Sequence, residues 1–207
     1  SRPVKTVIIE YPIIVPPLPG ESISLDFTVT AVDGKSQTIT SSILVANYKE
    51  SKKGLFFANT YKAKNYAFYS SEKDAVYGGN PRFATYYKKN ISYIDFYSIS
   101  DGAKEYFIYS PTDPEVVEKL KGQGIEDYVL TEMRGTRMVK LEDINFAKVK
   151  DKEILAIDFT NTVTKIQVKK GDNIGFITED GRKGIMNIIG ASGRYIDFKC
   201  KTQTIPQ

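Results

Sequence analysis

The chain has 207 residues, 41% hydrophobic and 26% charged with a net charge of +4, a folded globular composition with room for one large or two small domains. It contains no histidine, no tryptophan and one cysteine, Cys200. Each of Ser-His-Asp or Cys-His catalysis, a Cys/His zinc site, haem or iron–sulfur ligation and Cys-x-x-Cys exchange needs a proton shuttle or ligand set that this inventory lacks.

Residues 1–20 hold one apolar stretch, Tyr11 to Leu18, interrupted by Pro12, Pro16 and Pro17. It reads as an extended connector, and no run in the chain approaches the ~18 residues of a membrane span. A start at Ser1 instead of methionine fits a processed amino terminus. From Ile23 the apolar positions alternate through Leu25, Phe27 and Val29, then return after Asp33-Gly34 through Ile39, Ile43 and Val45. Period-two alternation across such a turn predicts a β-hairpin with one face on a core and one in water. Residues 1–47 are expected to form a short strand lobe and residues 48–207 a β-rich domain.

The next segment is aromatic: ten tyrosines and six phenylalanines lie between Phe56 and Tyr109. Strands are expected at Gly54–Ala58, Tyr66–Tyr69, Ile91–Ser98 and Lys104–Ser110, with a short helix at Pro81–Lys89. A better-marked helix spans Pro114–Lys121, with Asp113 at the cap, Pro114 at the first helical position, Glu115 in the first turn and Gly122 at its end. A second helix is expected at Leu141–Ala147. Further strands follow at Ile154–Thr160, Thr164–Val168, Asn173–Thr178, Gly184–Ile189 and Arg194–Lys201, punctuated by Lys170-Gly171-Asp172, Asp180-Gly181 and Ser192-Gly193. These elements predict a mainly β fold, an antiparallel sandwich-like arrangement with a few short helices. Cys200 shares strand parity with Ile196 and Phe198 and is expected to be a small buried apolar residue. One tripeptide recurs: Leu25-Asp26-Phe27, Ile94-Asp95-Phe96, Ile157-Asp158-Phe159 and Ile196-Asp197-Phe198. Its simplest meaning is a strand with two core residues flanking a solvent-facing acid.

The order of several motifs resembles a domain of unknown function from uncharacterised cell-envelope lipoproteins of Bacteroidetes. The motifs are Phe68-Tyr69-Ser70 with Asp74-Ala75-Val76, Ile94-Asp95-Phe96-Tyr97, Tyr109-Ser110-Pro111-Thr112-Asp113 and Lys170-Gly171-Asp172. Phe176-Ile177-Thr178 and Asp180-Gly181-Arg182-Lys183-Gly184-Ile185 complete the series. The resemblance covers roughly two thirds of the chain, from about Tyr66 onward. It implies an exported protein whose only membrane attachment is a lipidated cysteine outside this chain. In that family the domain follows an immunoglobulin-like segment, and Gly20–Val45 is similar to the closing strands of one. No catalytic residues come with the resemblance.

The aromatic segment is the expected binding surface, because exposed tyrosines offer area at low entropic cost and a hydroxyl for hydrogen bonding. Tyr61, Tyr66, Tyr69, Tyr77, Tyr86 and Tyr87 are the candidate ligand contacts, with Arg82 for an anionic group. The corresponding expectation is a non-enzymatic module for a glycan or lipid-like ligand, with no cofactor or metal. A structural or adhesive subunit acting through edge strands is the alternative. A carboxylate-based glycoside hydrolase, with Asp74, Asp95 and Asp101 as first suspects, is the third reading. Nucleic acid is not an expected partner: acids interleave the lysines and no binding module is present. Oligomeric state is left open.

Overall fold

The computed structural model describes residues 22–44, 48–56, 66–78, 89–99, 105–122, 124–193 and 195–204. The chain divides into two compact units, residues 1–46 and residues 47–207. In the first, β1 (Ser22–Thr30) pairs antiparallel with β2 (Ser36–Leu44), placing Phe27 opposite Ile39 and Val29 opposite Gln37. The turn forms as the sequence predicts: Gly34 adopts φ +82°, its amide donates to the Ala31 carbonyl at 2.9 Å, and the Asp33 carboxylate accepts from the Lys35 amide. One face carries a hydroxyl ladder, with Thr28 Oγ1 2.8 Å from Thr38 Oγ1 and Thr40 Oγ1 donating to Asp26 at 2.6 Å. The opposite face carries Phe27, Val29 and Ile39, which are 49%, 62% and 62% exposed.

The second unit is mainly β and antiparallel, a sandwich-like fold with a few short helices. Its strands are β3 (Tyr48–Phe56), β4 (Tyr66–Ser70), β5 (Ala75–Gly78), β6 (Phe96–Ile99), β7 (Phe107–Tyr109) and β8 (Thr136–Leu141), followed by β9 (Lys165–Gln167), β10 (Asn173–Thr178), β11 (Lys183–Ser192) and β12 (Tyr195–Gln203). They form two five-stranded sheets, ordered β3-β12-β11-β10-β8 and β5-β4-β6-β7-β9. Besides the helical residues Lys89 and Asn90, the helices among the described residues are α1 (Pro114–Gly122), α2 (Asp127–Leu130) and α3 (Asp151–Leu155). Among the described residues no helix is long and apolar enough to cross a membrane.

Alternation in the second sheet sends neighbouring residues to two different cores. Tyr69, Phe96 and Ile108 point between the sheets, meeting Phe176, Met186, Ile188, Phe198 and Cys200 from the first sheet. Phe68, Tyr97 and Tyr109 point outward, where Val116, Leu120, Val129 and Leu130 of α1 and α2 cover them. Phe68 stacks on Tyr97 at 4.3 Å and Phe96 meets Phe176 edge-on at 4.8 Å, arrangements that suit the ring quadrupoles. A sheet buried on both faces needs consecutive apolar residues, and the aromatic density meets that need. On the far side of the first sheet, Phe146, Val149 and Ile154 cover Ile185.

The sequence places α1 correctly. The Asp113 side chain accepts from the Glu115 amide at 3.0 Å, and its carbonyl accepts from Val116 and Val117. Other boundaries change. Leu141–Ala147 is not a helix: Leu141 ends β8, Asp143 takes φ +55°, and only the 3-10 turn Phe146–Lys148 follows, with Asn145 accepting from the Ala147 amide. Ile154–Thr160 is not a strand, because α3 occupies its start; Glu153 accepts from the Lys150 amide at 2.8 Å and Ile154 is drawn into the core. Ile91–Ser98 is a 3-10 turn at Ile91–Tyr93 before β6. The helix expected at Pro81–Lys89 lies largely outside the described residues.

Cys200 is buried, as its parity suggests. Burial pushes the thiol up to about 12, against the opposing pull of hydrogen bonds from Thr202 and Tyr69. A thiolate-selective reagent at pH 8 is expected to leave native protein unlabelled and to label one thiol per chain in denaturant. Labelling of the native chain at the rate of a free thiol would contradict this placement.

Candidate functional site

The sequence-predicted contacts do not assemble into a surface among the described residues. Tyr69 and Tyr77 are buried, which corrects the expectation of solvent-facing rings at these two positions. The reason is the double coverage of their sheet: Tyr69 faces the inter-sheet core and Tyr77 the helix-covered core. The Tyr69 hydroxyl donates to Asp74 at 3.2 Å and lies 3.2 Å from Ser51 Oγ; burial holds its pKa far above the usual phenol value. Tyr66 lies in β4 and its side chain is outside the described set, as are Tyr61, Arg82, Tyr86 and Tyr87. Of the suspect acids, Asp74 pairs with Lys53 at 3.2 Å and Asp101 is outside the described residues.

Asp95 corrects the reading of the recurring tripeptide, since it is 0% exposed instead of solvent-facing. The backbone amide and hydroxyl of Ser71 both donate to its Oδ2, at 2.7 and 2.6 Å. Arg182, 3% exposed, sits beside it with Nη2 3.9 Å from Asp95 Oδ1 and 3.9 Å from Glu72 Oε2. Its Nε donates to Asp180 Oδ2 at 2.9 Å. Arg134 Nη1 then bridges Glu72 at 3.1 Å and Asp180 at 3.3 Å. Four segments meet here: the β4–β5 turn, the residue leading into β6, the approach to β8 and the β10–β11 turn. Every acid is engaged and Asp95 is sealed, so the cluster acts as a clamp between turns.

The clamp predicts a pH profile. Desolvation raises Asp95 above its ordinary 3.8, outweighing the Ser71 hydrogen bonds and Arg182. For Asp180 the balance reverses: burial opposes ionisation, but Thr178 and Arg182 hold the carboxyl low. Glu72 is likewise held below 4.5, its partial burial outweighed by Lys73 and Arg134. A raised group binds protons more tightly folded than unfolded, so its contribution is full below 3.8 and lost as pH rises through the folded value. The two depressed groups stabilise above their unfolded values and lose that contribution as pH falls through their folded ones. Stability should peak on the acidic side of neutral, and Asp95→Asn should flatten the alkaline flank of that peak. Urea midpoints from pH 3 to 8 test this; an unchanged profile in Asp95→Asn would refute it.

One open feature among the described residues is a pocket of about 440 Å³ lined by Lys140, Gln167, Val168, Lys169 and Asp172. It lies at the edges of both sheets, where β8 ends one and β9 the other, and Met138 pairs with Val163 across the gap. The turn after β9 builds its wall. Gly171 takes φ +95° and its amide donates to the Ile188 carbonyl at 2.8 Å, a conformation that glycine adopts without Cβ strain. This holds Asp172 with Oδ2 accepting from the Lys169 amide and from Lys140 Nζ, both at 2.9 Å. Asp172 is buried and so fixed; Lys140 is partly exposed. Gln167 Nε2 donates to Glu105 at 3.3 Å, and the Lys169 side chain has no partner among the described residues. The pocket thus presents ammonium donors, a carboxylate and a carboxamide beside the Val168 wall. Sequence reading found Lys170-Gly171-Asp172 only as a turn; Lys140 and Gln167 gave no signal, since partners far apart in sequence meet there. A second, more apolar groove of about 330 Å³ runs between α1 and α2 past Val117, Leu130 and Met133, with Lys121 and Asp127 paired at 2.9 Å beside it.

No protein-family model and no curated protein matches the chain. Among solved structures it is similar to a DUF4466 family protein from Parabacteroides merdae, with a TM-score of 0.60 and 15% identity over 89% of this chain. The chain spans 63% of that protein's length. At this identity the likeness is one of fold.

Proposed function

We propose that the chain is a non-enzymatic binding module whose Lys140–Asp172 pocket receives a hydroxyl-rich ligand, a glycan unit. The carrying observation is the convergence of Lys140, Lys169, Gln167 and Asp172 on one open cavity. A sugar hydroxyl both donates and accepts, so it is matched by a wall that mixes ammonium donors, a carboxylate acceptor and an amide that does both. A lipid-like ligand would call for an apolar cavity, which favours the glycan half of the expectation. Export to the cell envelope and a lipid anchor belong to the same proposal. They rest on the motif resemblance. The hydrolase alternative needs two open carboxyls roughly 5–10 Å apart, and the Asp95 cluster offers acids already held by arginines.

A panel of neutral and acidic oligosaccharides tested by calorimetry addresses the reading directly. Lys169→Ala should weaken the best binder about tenfold or more, the cost of losing one hydrogen bond to a charged group. Tyr128→Ala, remote in sequence and outside the pocket lining, should leave affinity unchanged. Absence of binding across the panel, or full affinity in Lys169→Ala, would remove the proposal.

A further inference from the structure

We infer that the ligand of the Lys140–Asp172 pocket is an anionic sugar, one whose ring carries a carboxylate or sulfate oxyanion. This rests on the glycan reading of the pocket and narrows it. The selection comes from what each polar group in the wall has already spent. Asp172 is buried, and its Oδ2 accepts from the Lys169 amide and from Lys140 Nζ, both at 2.9 Å. Its charge is thus answered within the protein. Lys140 gives one N–H to that bond, and its side chain stays 40% exposed. Lys169 is exposed, and its ammonium has no partner among the described residues. Gln167 Nε2 donates to Glu105 at 3.3 Å, which leaves Oε1 as the accepting atom of the carboxamide.

The unspent capacity of the wall is therefore mostly ammonium N–H, with the Lys169 charge uncompensated. Of the charged groups nearby, Glu105 lies outside the lining, and exposed Lys170 on the same turn offsets it. A neutral sugar hydroxyl brings a donor with every acceptor, and donors find little use against ammonium groups. An oxyanion only accepts, and its oxygens can take charge-assisted hydrogen bonds from Lys140 and Lys169 together. Lysines act as point charges and not as a planar fork, so a tetrahedral sulfate serves as well as a flat carboxylate. Neighbouring ring hydroxyls can then donate to Gln167 Oε1. The site is open, and charges there are screened within about 8 Å at physiological salt. The preference for the anion is accordingly about tenfold, one charge-assisted hydrogen bond beyond what a neutral ring obtains.

Calorimetry on the full chain with matched pairs reads this preference. One pair is trigalacturonate and its methyl ester; the other is sulfated neocarrabiose and its desulfated parent. At least one charged member should bind about tenfold tighter than its neutral partner in low salt, and the gap should close at about 0.5 M sodium chloride. Lys169→Gln keeps the side chain polar without the charge. It should abolish the preference and leave the affinity of the neutral member within about twofold. Neutral members that bind as tightly as charged ones would overturn the inference and leave the glycan reading standing. Binding by neither member of either pair would remove both. A preference retained in Lys169→Gln would overturn the inference. So would displacement of the charged sugars by equal concentrations of acetate or inorganic sulfate, since the site would then recognise the anion without the ring.

Discussion

Arg182→Met is expected to lower the stability of the 47–207 unit by about 3–5 kcal/mol, the cost of leaving a buried charge without its partner. The guanidinium is 3% exposed and reaches Asp180, Ser71, Asp95 and Glu72 from one side chain. Removing it strands Asp95 at a position with no water access, and frees the β10–β11 turn from the β4–β5 turn. Lysine is not a substitute, because a single ammonium cannot reproduce contacts made separately by Nε, Nη1 and Nη2. Adding Asp95→Asn to Arg182→Met should recover part of the loss, since the stranded charge is then gone. Near-UV circular dichroism follows the unfolding, because the chain lacks tryptophan and its buried tyrosines, Tyr69, Tyr77, Tyr97 and Tyr109, lose their fixed surroundings. A loss under about 1 kcal/mol for Arg182→Met would mean the clamp carries little stability.

Gly184→Ala should cost about 2–3 kcal/mol by overpacking. Gly184 in β11 stands opposite Phe176 in β10, and the Phe176 ring lies across it. A Cβ at this position would fall 2.7 Å from the Lys201 carbonyl oxygen and 2.7 Å from Phe176 Cε1. The ring could move at the expense of its edge-on contact with Phe96, but the carbonyl is part of the β11–β12 pairing and has no such freedom. Phe176→Ala in the same chain should therefore fail to restore stability. Gly122→Ala is the control: nothing lies within 4 Å of its added Cβ, so that change should be near neutral. Equal stabilities for Gly184→Ala and Gly122→Ala in urea titrations would show that the close approach at Gly184 carries no energetic weight.

The two results bear on the same region from different sides. Arg182 ends the β10–β11 turn and Gly184 is the second residue of the strand after it, so polar clamp and core packing are set within three residues. The motif Asp180-Gly181-Arg182-Lys183-Gly184-Ile185 has a physical explanation in this arrangement. Asp180 and Arg182 hold the turn, Gly181 supplies φ +87°, Gly184 admits the Phe176 ring, and Ile185 faces the outer cluster with Phe146 and Ile154. None of these roles is chemical, which agrees with a motif that carries architecture.

Local physics is legible in the sequence itself. The absence of histidine and tryptophan bounded the chemistry, period-two alternation with Asp33-Gly34 gave the first hairpin, and Asp113-Pro114 gave the start of α1. Such signals sit inside one element, where propensity and capping act over a few residues. Elements with mixed signals were misread. The lysine-rich β3 looked like a strand only at its end, because edge strands carry charge where central ones carry apolar residues. Strand β8 was missed although Thr136 and Met138 alternate with Arg137.

Composition and periodicity alone determined that this is a β-rich, antiparallel protein without the usual catalytic inventory. Tertiary structure decided which faces are covered. Alternation says that Phe68 and Tyr69 point in opposite directions, but not that both directions are interior; that depends on α1 and α2 closing over one side of the sheet. It also decided the pocket, because Lys140 and Asp172 lie 32 residues apart and meet only when β8 and the turn after β9 are brought to the same edge. Contacts between elements depend on how sheets and helices stack, and no window of neighbouring residues encodes that stacking.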